Sequence, residues 1–129
     1  MNPKQFLQIG GVVLLLLAVI GFIMPTIGTF LHFTAAENWA HLVLGIVALA
    51  LAPMEVGDLK KWVVVLVGLI ALYFAIAGFM VAGKPLPNWY GVASLDNPVD
   101  NLLHLVVGVW ALLAAFKTGG TRPSMTLRA

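Results

Sequence analysis

Four apolar runs, residues 6–24, 35–52, 62–82 and 98–116, dominate the chain and leave it few folds. Each approaches the roughly 20 residues that an α-helix needs to cross a hydrocarbon core. Inside lipid every backbone N–H and C=O must find a partner within the protein, so only helices and closed barrels span it. Barrel strands alternate apolar and polar residues, and these runs do not, so helices are expected. Composition agrees. The chain is 61% hydrophobic and 9% charged, against about 25% charged in a soluble domain, which leaves too few charges to solvate a globular surface. The expected fold is all-α and polytopic. Residues 1–117 form one four-helix transmembrane domain, and residues 118–129, without periodicity, form a flexible cytoplasmic tail. The first run is not read as a signal peptide, because it is long and no Ala-x-Ala site follows it.

Charge sets the expected orientation. Lys4, Lys60, Lys61, Lys117, Arg122 and Arg128 fall at the N-terminus, the middle loop and the C-terminus, and only Lys84 lies in the other loops. The positive-inside rule then places both termini and the middle loop in the cytoplasm. His32 lies in the first outward loop, and the heads of the second and fourth helices point outward too. The chain has no cysteine, which excludes disulfides, thiolate metal sites and covalently attached c-type haem. A net charge of +2 gives no reason to expect nucleic acid.

One segment is written twice. Glu37-Asn38-Trp39-Ala40-His41-Leu42-Val43-Leu44-Gly45 returns as Asp100-Asn101-Leu102-Leu103-His104-Leu105-Val106-Val107-Gly108. Lys4 with Gly21-Phe22 is answered, more faintly, by Lys61 with Gly78-Phe79. Self-similarity of this kind means two copies of one structural unit. The expected architecture is two tandem helical hairpins, related by a pseudo-twofold axis along the membrane normal.

The helix heads are legible. Thr34 with Glu37 reads as a capping box. Asn97 reads as the next N-cap, with Pro98 in the first helical position and Asp100 in the third. Both carboxylates also suit the positive end of a helix dipole. Below each histidine runs a stripe of small residues on one face: Gly45, Ala48 and Ala52 under His41, and Gly108, Ala111 and Ala115 under His104. Asn38 and Asn101 share those faces. Small stripes permit close helix packing in membranes, and they can equally leave a slot for a flat ligand.

The doubled Asn-x-x-His-Leu-x-x-Gly signature in a four-helix chain resembles a family of small bacterial membrane proteins catalogued as a domain of unknown function. The resemblance covers roughly residues 3–117 and implies a bacterial inner-membrane location. It implies no reaction, substrate or cofactor.

The residues support several uses of the paired histidines. In the first, Asn38, His41, Asn101 and His104 bond among themselves or to nearby backbone and fix helix packing. The protein is then a structural or assembly subunit, as a homo-oligomer or inside a larger membrane complex. In the second, His41 and His104 ligate haem b or another, chlorophyll-type tetrapyrrole, with Glu37, Asp100 or the asparagines orienting the rings. In the third, His32 joins His41 and His104 around zinc or copper, or the histidines sense pH. Enzymatic chemistry is not expected. Neither Ser94 nor Ser124 has a histidine–carboxylate setting, and phosphate-loop and metalloprotease motifs are lacking.

Overall fold

The computed structural model describes residues 1–117; the expected tail, 118–129, lies outside the described residues. Four helices carry the fold: α1 (Pro3–Ile23), α2 (Ala35–Leu51), α3 (Leu59–Met80) and α4 (Val99–Phe116). A two-stranded antiparallel ribbon, β1 (Thr26–Ile27) and β2 (Leu31–His32), joins α1 to α2, pairing Thr26 with His32 and Ile27 with Leu31. The protein is thus all-α in architecture, with a short ribbon that hydropathy did not foretell. Three helices, α1, α3 and α4, are long and apolar enough to cross a membrane; α2 is also apolar but has 17 residues. Exposed large apolar side chains crowd all four, among them Leu16, Val43, Ile46, Leu66, Ile76, Val106 and Leu113. In water that surface would be prohibitive, and in lipid it is ordinary.

Three helix starts differ from the hydropathy limits, those of α1 and α3 by a full turn and that of α4 by a single residue. α1 begins at Pro3 because Asn2 caps it: Gln5 N–H donates to Asn2 Oδ1 (2.9 Å), and Asn2 N–H donates to Gln5 Oε1 (3.1 Å). A proline at the first helical position costs nothing, since its missing N–H would have no intrahelical acceptor. α3 begins at Leu59, so Lys60 and Lys61 belong to its first turn rather than to the preceding loop.

α1 packs chiefly on α2, and α3 chiefly on α4, while α1 touches α3 and α4 more lightly. Within each pair the close approach is set by glycine. A Cβ on Gly11 would collide with Leu49, and one on Gly45 with Leu15, each also meeting the other glycine's carbonyl. In the second pair, Gly68 would meet Ala111 and Leu112, and Gly108 would meet Leu72 and the Gly68 carbonyl. Leucines therefore fill the notches that the small stripes open.

The pairs join at their two ends. At the end bearing Lys4, Lys61 and Lys117, an apolar cluster of Phe6, Leu7, Ala52, Val64, Ala111, Ala114 and Ala115 is buried. There the Phe6 and Trp110 rings meet edge-on, 4.5 Å between centroids, tying α1 to α4. At the opposite end, which carries the histidines, the two connecting loops clasp each other through polar contacts.

Candidate functional site: the histidine end

The α2 head is built as its sequence implied. Thr34 Oγ1 accepts the Glu37 N–H (3.2 Å), and Glu37 Oε2 accepts the Thr34 N–H (2.7 Å), a complete capping box. Thr34 Oγ1 also donates to the Val92 carbonyl (2.7 Å) in the loop between α3 and α4, so the cap is also a tie between loops. Thr34→Ala is expected to lower stability by about 1 kcal/mol, read as a fall in melting temperature in detergent. An unchanged value would mean that water replaces both bonds.

The α4 head differs from expectation. Asn97 makes no cap bond, and Pro98 stands in the N-cap position ahead of Val99. The first-turn donors find the Asp96 carbonyl instead: Asp100 N–H at 3.0 Å and Asn101 N–H at 3.4 Å. Because a carbonyl satisfies those donors, the Asn97 side chain is free to accept from Asn101 Nδ2 (3.2 Å). Asp100 remains in the first turn, as expected.

The two asparagines are among the most deeply buried polar residues, Asn38 at 3% and Asn101 at 0% exposure. Neither reaches across to the other helix pair. Asn38 sits where a Cβ of Gly21 would be, and Asn101 where a Cβ of Gly78 would be. Neither Oδ1 has a conventional donor among the described residues. The glycine Cα–H groups lie against these oxygens, and such Cα–H···O contacts contribute about 0.5–1 kcal/mol each. The glycine of the faint odd-helix repeat and the asparagine of the strong even-helix repeat are thus two halves of one contact, made twice.

The histidines fare unequally. His104 Nδ1 lies 3.0 Å from the Asp100 carbonyl and 3.2 Å from its Oδ2. Both neighbours only accept, so Nδ1 carries the proton and donates to the carbonyl. The His104 ring also packs beside Phe74, 5.6 Å between centroids. His41 Nδ1 is buried without a partner among the described residues. His41 lies within electrostatic reach of both His104 and Asp100, and the Glu37 carboxylate is within reach of His104. The structure therefore gathers Glu37, His41, Asp100 and His104 into one region, while Asn38 and Asn101 turn back into their own helix pairs.

His32 turns elsewhere. Its N–H donates to Asp96 Oδ2 (2.8 Å), and its Nδ1–H donates to Asp96 Oδ1 (2.7 Å), the carboxylate side chain being only 7% exposed. The expected set of His32 with His41 and His104 does not converge: among the described residues no three histidine or carboxylate groups stand close enough to hold a metal ion.

Asp96 itself belongs to a plug that the sequence did not advertise. Ala93, Ser94, Leu95 and Asp96 are all buried in an otherwise exposed loop. Asn88 holds the plug by exchanging two bonds with the Leu95 backbone (2.8 and 3.0 Å), and Trp89 pairs with Ala93. The Ser94 backbone N–H lies beside the Glu37 carboxylate. The available signal was an acidic residue in one connecting loop and a histidine in the other.

No family model, no curated protein and no solved structure matches the chain.

Proposed function

We propose that the protein is a non-enzymatic integral membrane protein of the bacterial inner membrane, a structural or assembly subunit acting as scaffold or adaptor. In this reading all four helices span, as two tandem hairpins with pseudo-twofold symmetry and both termini cytoplasmic. α2, at about 1.5 Å per residue, rises nearly far enough to cross, and its head is capped against the loops above it. The repeated glycine–asparagine contact supports the symmetry, and the lysines at one end support the orientation.

One observation carries the reading. The doubled polar signature is directed at helix packing: both asparagines are seated in glycine notches, and the glycines below the histidines are filled by Leu15 and Leu72. The same stripes are then not the walls of a flat-ligand slot. Exposed apolar faces on all four helices suit lipid and a partner subunit or second copy.

The test is gentle purification in native lipid, with identification of what travels with the protein and a visible absorption spectrum. His41→Ala and His104→Ala are each expected to lower the melting temperature or disrupt assembly without loss of a chromophore. If both variants assemble and melt like wild type, the structural reading of the histidines fails.

A second reading keeps one observation in its favour. Asp100 fixes His104 with its proton on Nδ1, which leaves Nε2 as the ring's lone-pair nitrogen, the arrangement that outer partners impose on ligating histidines. His41 and His104 would then hold haem b or a chlorophyll-type ring. A strong visible band that disappears in His104→Ala would favour this reading over the first.

A further inference from the structure

We infer that the lysine end is a binding site for the phosphate headgroup of an anionic phospholipid. An open cleft of ≈ 420 Å³ lies where the α1 start, the α3 start and the α4 end meet. Every lysine of the chain except Lys84 lines it: Lys4, Lys60, Lys61 and Lys117. Among the described residues, the only carboxylate in its wall is Asp58. In a chain with so few charges, four ammonium groups gathered around one cleft repel one another, and a bound phosphate relieves that repulsion.

Two of the four are held in place by the protein. Lys60 Nζ donates to the Ala52 carbonyl at the end of α2 (3.1 Å). Lys61 Nζ stands 5.1 Å from the Phe116 ring centroid and 5.4 Å from that of Trp62. An ammonium has three donors, so Lys60 keeps two, and Lys61, held over ring faces, makes no hydrogen bond to an oxygen or nitrogen among the described residues. Lys4 and Lys117 are exposed on the other two elements. The arrangement is a fixed pair flanked by two exposed side chains, and the Met1 amino group beside Lys117 adds a further positive charge.

Its depth decides the source of the phosphate. The cleft sits at the ends of helices long enough to cross a membrane, which is where headgroups lie and where basic pockets recruit anionic lipid. Leu59, Trp62 and Phe116 are exposed beside it. They offer apolar contact to a glycerol backbone and upper acyl chain that a soluble phosphate would not use.

The test uses the full chain in detergent, with melting temperature followed as lipid is added. Phosphatidylglycerol or diphosphatidylglycerol is expected to raise it by several degrees, and phosphatidylcholine is not. Lys4→Gln with Lys117→Gln is expected to weaken the apparent lipid affinity by about tenfold or more, whereas Lys84→Gln leaves it unchanged. Equal stabilisation by phosphatidylcholine, or an equal loss in Lys84→Gln, would overturn the site. Equal stabilisation by inorganic phosphate would overturn the lipid as its source. Should the double variant not fold, mass spectrometry of lipid retained by the wild-type protein decides. Enrichment of anionic species over the bulk membrane supports the site, and bulk composition overturns it.

Discussion

Gly78→Ala is expected to destabilise the folded chain by about 3 kcal/mol. The new Cβ would fall on Asn101 Oδ1, and Asn101 is fully buried, with its Nδ2 already held by Asn97. Either the amide leaves its notch, breaking that bond, or α3 and α4 move apart along a seam packed at Gly68 and Gly108. Gly21→Ala should behave alike, because Asn38 fills the matching notch on α1. Gly10→Ala is the control: its Cβ would meet only the Phe6 ring at 3.8 Å, an ordinary contact. Unfolding in mixed micelles would measure all three. The double variant Gly78→Ala with Asn101→Ala should cost less than the sum of its parts, since removing the amide removes the collision. Additive losses would show that the glycine matters for some reason other than the asparagine.

Asp96→Ala is expected to cost about 2–3 kcal/mol, concentrated in the loops. Its carboxylate accepts both the N–H and the ring Nδ1–H of His32, so the variant strands two donors at a partly buried site and frees the plug at Ala93–Asp96. Asp96→Asn should retain most of the stability. Its carbonyl oxygen can accept the His32 N–H, and its amide can donate to Nδ1 once the imidazole proton moves to Nε2. Hydrogen exchange reads the effect directly: protection in residues 26–34 and 88–96 should fall in the alanine variant and largely persist in the asparagine variant. Unaltered exchange in Asp96→Ala would mean that the clasp contributes nothing to holding the two loops together.

Much of this was legible before any coordinates. Apolar runs announced the helices because lipid demands internal backbone pairing, and Thr34 with Glu37 announced a cap whose geometry is entirely local. The contact between Gly21 and Asn38 was legible only in halves. Each residue stood out in its own repeat, but nothing in one dimension says that an amide on one helix needs a missing side chain on another. Asp96 was hidden for a similar reason. Its partner, His32, is distant in sequence, and the adjacent Asn97-Pro98 pair carried a stronger local cap signal that the Asp96 carbonyl supersedes. The small stripes were visible, but which helix they faced was not. A glycine face is compatible with any close neighbour, and only the packing of α1 on α2 and of α3 on α4 assigns it.

Phe6 and Trp110, with the apolar cluster around them and the single Lys60–Ala52 bond, join the helix pairs at one extremity, while His32 and Asp96 join them at the other through a carboxylate. These seams answer to different solvents. Ionic strength and competing hydrogen-bond donors act chiefly on the carboxylate seam and much less on the largely apolar one. Detergent tails that intercalate between rings do the reverse. The choice of solubilising conditions therefore selects which extremity loosens first.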